Sequence, residues 1–544
     1  MRVAEALGRA LAALGTRHLF GLVGSGNLEL SQAAVAAGAR FVAARQETAA
    51  VAMADAYARL SGRPGVATVH QGPGITNALT GLTEAAKSRT PVVLLAADTS
   101  ASAVHSNFRL PAAQLATALG AATERLDSPA TAVPVLAGAL QRAQAERRAV
   151  LVLAPLDVQG AECPDPVLPG GPKEAGGAPS GPCPSPEEVS ALADLLAGAD
   201  RPLLLAGRGA VLAGAGPVLE SLAEVAGAYL ATSAMAHGLF RGNPRSLGIA
   251  GGFASPPAAR LMAGADAIVA FGASLNMWTT RHGALIGPRS RVAQVDVEPS
   301  ALGAHRPVDL AVVGDAAETA RAVAAALTGN PASAGGRVER VAGWADQSYE
   351  DRSEARWIDP RTLTLALDRL VPSARTVVVD SGHFMGWPAM YLRVPDQAGF
   401  VFAQAFQSVG LGLAGAAGAA LARPDRLTLA CVGDGGALMA LGELETLARL
   451  GLPVMVVVYN DAAYGAEVHH FAPKGLPTDL AVFPPTDLAG VARALGAEGV
   501  TVRRVEDLGE VEAWLGRRDG PLVVDAKVNP AVVGEWLEEA FRAH

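Results

Sequence analysis

Cysteine is nearly absent: the 544-residue chain carries three, Cys163, Cys183 and Cys431. Two fall in a Pro/Gly-rich stretch and one in an apolar run. Neither a disulfide framework nor a thiolate metal cluster is expected, and a reducing cytoplasm is the expected setting. Aromatic residues make up only 5% and charged residues 18%. The formal charge of −8 lacks the basic balance of a nucleic-acid binder. No charge-free apolar run reaches the roughly 20 residues that a membrane span needs. The start of the chain sets Arg2, Glu5, Arg9 and Arg17 among apolar residues, the pattern of an amphipathic helix rather than a signal peptide. Neither nucleic acid nor membrane is therefore expected as a partner. What the chain does have is 50% hydrophobic residues, enough for a large core, and a length that suits three or four domains.

Two compositional breaks divide it. Residues 161–186 form a Pro/Gly-rich linker, and 329–358 a polar connection containing Gly and Ser. The three blocks they separate, 1–160, 187–328 and 359–544, each alternate strand-like and helix-like runs. The fold class expected is α/β, as three domains with mainly parallel sheets. Strands are expected at His18–Val23, Arg40–Ala44, Gly65–His70, Pro91–Ala96 and Ala149–Leu153 in the first block. In the second they fall at Pro202–Ala206, Ala267–Phe271 and Val292–Val297.

The most informative stretch is Leu427 to Gly465. An apolar run, Leu427 to Val432, is broken by Gly433-Asp434-Gly435-Gly436. Ala437, Leu441, Leu444 and Ala448 then recur at helical spacing, and a second apolar run, Pro453 to Tyr459, ends at Asn460-Asp461. Strand, glycine turn, helix, strand is a βαβ unit whose ligand sits beyond the carboxyl ends of the strands. Asp434 and Asn460 stand at neighbouring strand tips, with 24 residues between Gly435 and Asn460. Two hard oxygen ligands there suit Mg²⁺, which takes few protein side chains and fills its shell with phosphate oxygens. The glycines expose N–H groups toward an anion.

This motif resembles that of thiamine diphosphate-dependent enzymes, in the branch of acetohydroxyacid synthases, benzoylformate decarboxylase and benzaldehyde lyase. The resemblance implies a pyrimidine-binding, a central and a diphosphate-binding domain, in that order. It also implies thiamine diphosphate and Mg²⁺ as cofactors, with Ala462 as a third metal ligand through its carbonyl. Glu47, where a strand gives way to a helix, resembles the catalytic glutamate that hydrogen-bonds the pyrimidine ring nitrogen. Gly72, Pro73 and Asn77 resemble the loop that contacts the cofactor. His70, two residues before Gly72, is a candidate proton shuttle of the kind found in benzoylformate decarboxylase. Gly24 and Ser25 resemble the active-site entry loop, with Ser25 toward the substrate carboxylate. Ser381, Gly382 and His383 resemble the diphosphate-anchoring loop. Ser408 and Val409 fall where the family wedges the cofactor into its V shape, and valine is small for that post. Tyr464 and Gly465 close the cofactor side, and Glu467 and His470, one turn apart on a short helix, are placed in the substrate pocket.

The activity implied is decarboxylation of a 2-oxo acid, with transfer of the acyl unit to a carbonyl acceptor as in acetolactate synthase. Release of an aldehyde, as in benzoylformate decarboxylase, is the alternative, and a non-catalytic nucleotide-binding relative is a third. The resemblance implies a homodimer or homotetramer with each site shared between two subunits. Glycine-rich turns at Ala206–Ala210, Gly248–Gly252 and Phe271–Ser274 resemble a central domain that holds FAD in some members and not in others.

Overall fold

A computed structural model describes residues 1–163, 181–328 and 340–542. Most of the first linker, 164–180, and the start of the second, 329–339, lie outside the described residues. Three domains are each built on a six-stranded sheet in which every pairing is parallel. The first sheet runs, in space, Arg40–Ala43, His18–Gly21, Gly65–Val69, Val92–Asp98, Val150–Pro155, Ala122–Arg125. The third repeats this order with Phe400–Phe402, Arg375–Val379, Leu427–Gly433, Val454–Asn460, Leu522–Lys527 and Glu498–Val502. The central sheet differs, running Leu310–Val313, Arg291–Asp296, Ala267–Phe271, Pro202–Ala206, Tyr229–Thr232, Ser246–Ile249.

The central strands are unbroken apolar runs because helices cover both faces of a parallel sheet. Val92–Asp98 and Val454–Asn460 are buried along their whole length. Strands with no counterpart in the sequence reading are mainly short ones at or next to sheet edges, such as Ala122–Arg125, Ser246–Ile249 and Leu310–Val313. Their half-exposed residues give no continuous apolar signal.

One helix expected after the glycine turn is two, Asp434–Met439 and Leu441–Arg449, broken at Ala440 (φ −107°, ψ 20°). The break swings the second helix toward the first domain, where Gly442 fits against the Arg45 side chain. The second connection is not free chain over its described part. Trp344 donates to the Phe253 carbonyl at 2.7 Å, and Ile358 bridges to Val528. The first and third domains share one core cluster, in which the helix Glu47–Ser61 lies along Gly412–Ala422. Gly418 has no room for a side chain because the Met53 backbone fills that space. Among the described residues no helix is long and apolar enough to cross a membrane.

Candidate active site

Parallel register places Gly433 beside Tyr459, so Asp434 and Asn460 leave adjacent strands at the same end of the sheet. Asn460 donates its amide Nδ2 to Asp525 at 2.8 Å, which leaves Oδ1 as the group that faces outward; Oδ1 also takes the Ala462 N–H at 3.2 Å. Asp525 is fully buried and fixed in turn by the Leu488 N–H at 3.0 Å and Lys527 Nζ at 2.8 Å. Ala462 adopts φ +56°. Its carbonyl accepts the Phe483 N–H at 2.8 Å, and one lone pair remains for a metal.

Burial pushes the Asp434 carboxyl up to about 6. Next to it, burial and the charge of Asp434 push Asp461 up to about 7, and the two side chains are within hydrogen-bonding reach. Among the described residues, Lys527 is the cation acting on Asp434, and the two converging carboxylates leave a deficit of positive charge that a divalent cation would fill. This donor set fits Mg²⁺ held by Asp434, Asn460 and the Ala462 carbonyl. Gly435 lies under the Tyr464 ring, whose Cε1 stands 2.7 Å from where a Cβ would be.

His383 accepts the Gly534 N–H at Nε2, 3.2 Å away. Its proton therefore sits on Nδ1, which faces Gly465 and is available to a phosphate oxygen. Burial, and to a lesser degree His469 with its ring 4.5 Å away, push its pKa down to about 3. The imidazole is thus a neutral donor. Gly382 adopts φ +146° in the same turn. Behind it, buried Asp380 accepts the N–H groups of Gly410 and Leu411 and ties down the loop of Ser408 and Val409. Val409 is 40% exposed, with Gly436 packed beside it.

A second cluster forms in the first domain. Glu47 opens its helix, buried, and accepts Asn77 Nδ2 at 3.2 Å; Gly74 packs against its other oxygen. His70 follows the strand Gly65–Val69 and accepts the Gly26 N–H at Nδ1, 3.1 Å away. Its Nε2 is therefore the protonated nitrogen. Burial lowers its pKa while the Glu47 charge opposes the shift. The Phe108 ring meets His70 edge-on at 5.4 Å and covers Gly72, which holds φ +64° before Pro73. Gly24 donates to Asn27 Oδ1 at 2.8 Å, and Ser25 lies exposed in the following turn.

The short helix Gly465–Phe471 carries Glu467 exposed at the surface. His470 stacks on Phe541 at 4.0 Å and meets Lys474 Nζ at 2.7 Å, so it is His469 that faces His383. Sequence reasoning missed Asp461, Asp380, Asp525, Phe108 and His469. Asp461, adjacent to Asn460, and Asp380, at the end of the apolar run Val377–Val379, carried signals that could have been read. Among the described residues no hydrogen bond or ring contact joins the Glu47–His70 cluster to the Asp434–Asn460 cluster of the same chain.

Three family models match in sequence. Residues 1–123 match the thiamine pyrophosphate enzyme N-terminal TPP binding domain, 189–323 the central domain, and 380–526 the C-terminal TPP binding domain. The chain is 31% identical to an acetolactate synthase large subunit of Parasynechococcus marenigrum, over 96% of this chain and 87% of that one. It is 28% identical to a sulfoacetaldehyde acetyltransferase of Castellaniella defragrans, over 94% and 89%. A thiamine diphosphate-dependent 4-hydroxybenzoylformate decarboxylase of Rhodococcus jostii RHA1 shares the fold, with a TM-score of 0.80 and 22% identity over 97% of this chain and 99% of that one. The chain therefore belongs to the thiamine diphosphate-dependent enzymes of the acetolactate synthase and decarboxylase family.

Proposed function

We propose that the protein is a Mg²⁺-dependent carboligase that decarboxylates a 2-oxo acid and passes the acyl unit to a carbonyl acceptor, working as a homodimer or a dimer of dimers. The observation that carries the reading is the matched pair of clusters. One is an acid, Glu47, held by Asn77. The other is a cation site at Asp434 and Asn460 beside a neutral Nδ1–H donor, His383. Bound thiamine diphosphate supplies the electron sink that lets carbon dioxide leave. Asp434, Asn460 and the Ala462 carbonyl would hold Mg²⁺, and His383 Nδ1–H would bind a phosphate oxygen. Glu47 would hold a proton at the pyrimidine ring nitrogen. The acetyltransferase and the acetolactate synthase among its relatives support transfer over simple release.

His70 favours a second reading. Its Nε2–H would be a proton donor near Glu47, and protonation in place of transfer would release an aldehyde instead. Retention of Glu47, Asp434 and Asn460 in buried, hydrogen-bonded positions speaks against a non-catalytic relative. The absence of any disulfide among the described cysteines is compatible with a cytoplasmic setting. The test supplies thiamine diphosphate, Mg²⁺ and a panel of 2-oxo acids, pyruvate first, with and without an acceptor aldehyde. A 2-hydroxy ketone or 2-hydroxy-2-methyl-3-oxo acid supports the carboligase, and aldehyde alone in both arms supports the decarboxylase. No carbon dioxide from any acid would sink both.

A further inference from the structure

The first and third domains grip each other through two buried glutamates that stand outside both clusters. Glu443, 2% exposed on Leu441–Arg449, reaches into the first domain. Its Oε1 accepts the N–H groups of Arg45 at 2.8 Å and Gln46 at 3.1 Å, the two residues before Glu47. Glu84, 2% exposed on Pro73–Lys87, reaches the opposite way. Its Oε1 accepts the Ala405 N–H at 3.2 Å and its Oε2 the Phe406 N–H at 2.7 Å, just ahead of Ser408 and Val409. Both grips are reinforced. Arg59 pairs with Glu84 at 3.0 Å, and Arg449 donates to the Ala43 carbonyl at 2.6 Å alongside Glu443.

A carboxylate buried in the core has little water to fall back on, so its bonds to two consecutive N–H groups fix the path of that backbone. We propose that Glu443 and Glu84 are reciprocal positioning residues: Glu443 sets the entry of the Glu47 helix, and Glu84 sets the Ser408–Val409 loop. The inference rests on the shared-site reading above, in which Glu47 and Val409 of one chain serve two different active sites. The interdomain face of each subunit then mechanically joins both sites. Helix Pro73–Lys87 spans that link, with Asn77 on Glu47 near one end and Glu84 two turns later.

The two grips differ in a way that a test can use. Glu443 spends one oxygen on both N–H groups, so a glutamine can keep both bonds. Glu84 spends one oxygen on each, so a glutamine must turn its NH₂ on one of them. Two quantities are measured on the full-length protein: thiamine diphosphate affinity with Mg²⁺ present, by calorimetry, and proton–deuterium exchange at the cofactor's thiazolium carbon at saturation, by quenched NMR. Glu443→Ala should slow exchange about tenfold with affinity near wild type, while Glu443→Gln exchanges like wild type. Glu84→Gln should weaken affinity about tenfold and leave exchange at saturation near wild type. If Glu443→Ala does not fold, Glu443→Asp, one methylene short of both N–H groups, takes its place with the same slowing expected. Lower melting temperatures with both quantities unchanged would overturn the proposal, as would a Glu443→Gln variant as slow as the alanine. Glu47→Gln is the control: if it exchanges like wild type, the reading of the site has failed, whatever the glutamate variants do.

Discussion

The side chain of Asn460 can present either an oxygen or a nitrogen to a cation, and Asp525 decides which. Because the carboxylate accepts the amide NH₂, the oxygen is the atom left to face the proposed metal position. Asp525→Asn removes that bias and should weaken Mg²⁺ binding in the presence of thiamine diphosphate about tenfold, the usual cost of losing a partner behind a ligand. A metal titration followed by cofactor binding would show it, and an unchanged affinity would refute it. Asp434 and Asn460 were legible in the sequence because both stand at ends of apolar runs. Asp525 was not, since its closeness to Asn460 depends on Leu522–Lys527 pairing with Val454–Asn460, a neighbour relation with no local signature. Elsewhere, burial pushes the pKa of His237 down from 6.5 to about 4. The unfolded chain takes up a proton near 6.5 that the fold refuses, so this stability is complete above that pH and is lost as pH falls toward about 4. Each pH unit in that window costs about 1.4 kcal/mol. His237→Gln, neutral throughout, should flatten the acid side of the melting-temperature profile relative to wild type.

Among elements, the glycine-bearing ones show what the sequence carried and what it hid. Gly433 to Gly436 announced the turn. The equally important Gly418 sits within a helix whose alanines and glycines bury on almost every side and leave no periodic stripe to read. Its partner, Glu47–Ser61, comes from the far end of the chain, so the closeness is a tertiary fact. Gly418→Val should drive a side chain into the Met53 carbonyl and destabilise the fold by about 2 kcal/mol, measured by denaturant unfolding. In the central domain the turn Ala206–Ala210 is one of the glycine-rich turns that resemble a domain holding FAD in some members and not in others. In the fold the Gly207 N–H donates to the Phe271 carbonyl at 2.9 Å and that of Gly209 to Gly272 at 3.0 Å. Half-buried Arg208 turns away to Ser88 and Thr90. With those donors spent, the purified protein should carry no flavin absorbance and gain none on incubation with FAD.

At the scale of the whole molecule, the first and third sheets share one strand order, and their domains pack through one core. Within one chain, no hydrogen bond or ring contact among the described residues joins the Glu47–His70 cluster to the Asp434–Asn460 cluster. Two copies arranged about a two-fold axis can satisfy both, each lending its Glu47 cluster to the other's cation site. The arrangement makes a quantitative prediction. Glu47→Gln and Asp434→Asn should each be inactive as homodimers, because every site then lacks one necessary group. When both variants are co-expressed with different tags, random pairing makes half the dimers mixed. In a mixed dimer one site receives both defects and the other receives neither. The pool should therefore regain about a quarter of wild-type activity, and mixed dimers isolated through both tags about half. Were each site built within one chain, no pairing of the two variants could restore a site, and the mixture would stay as inactive as its parents.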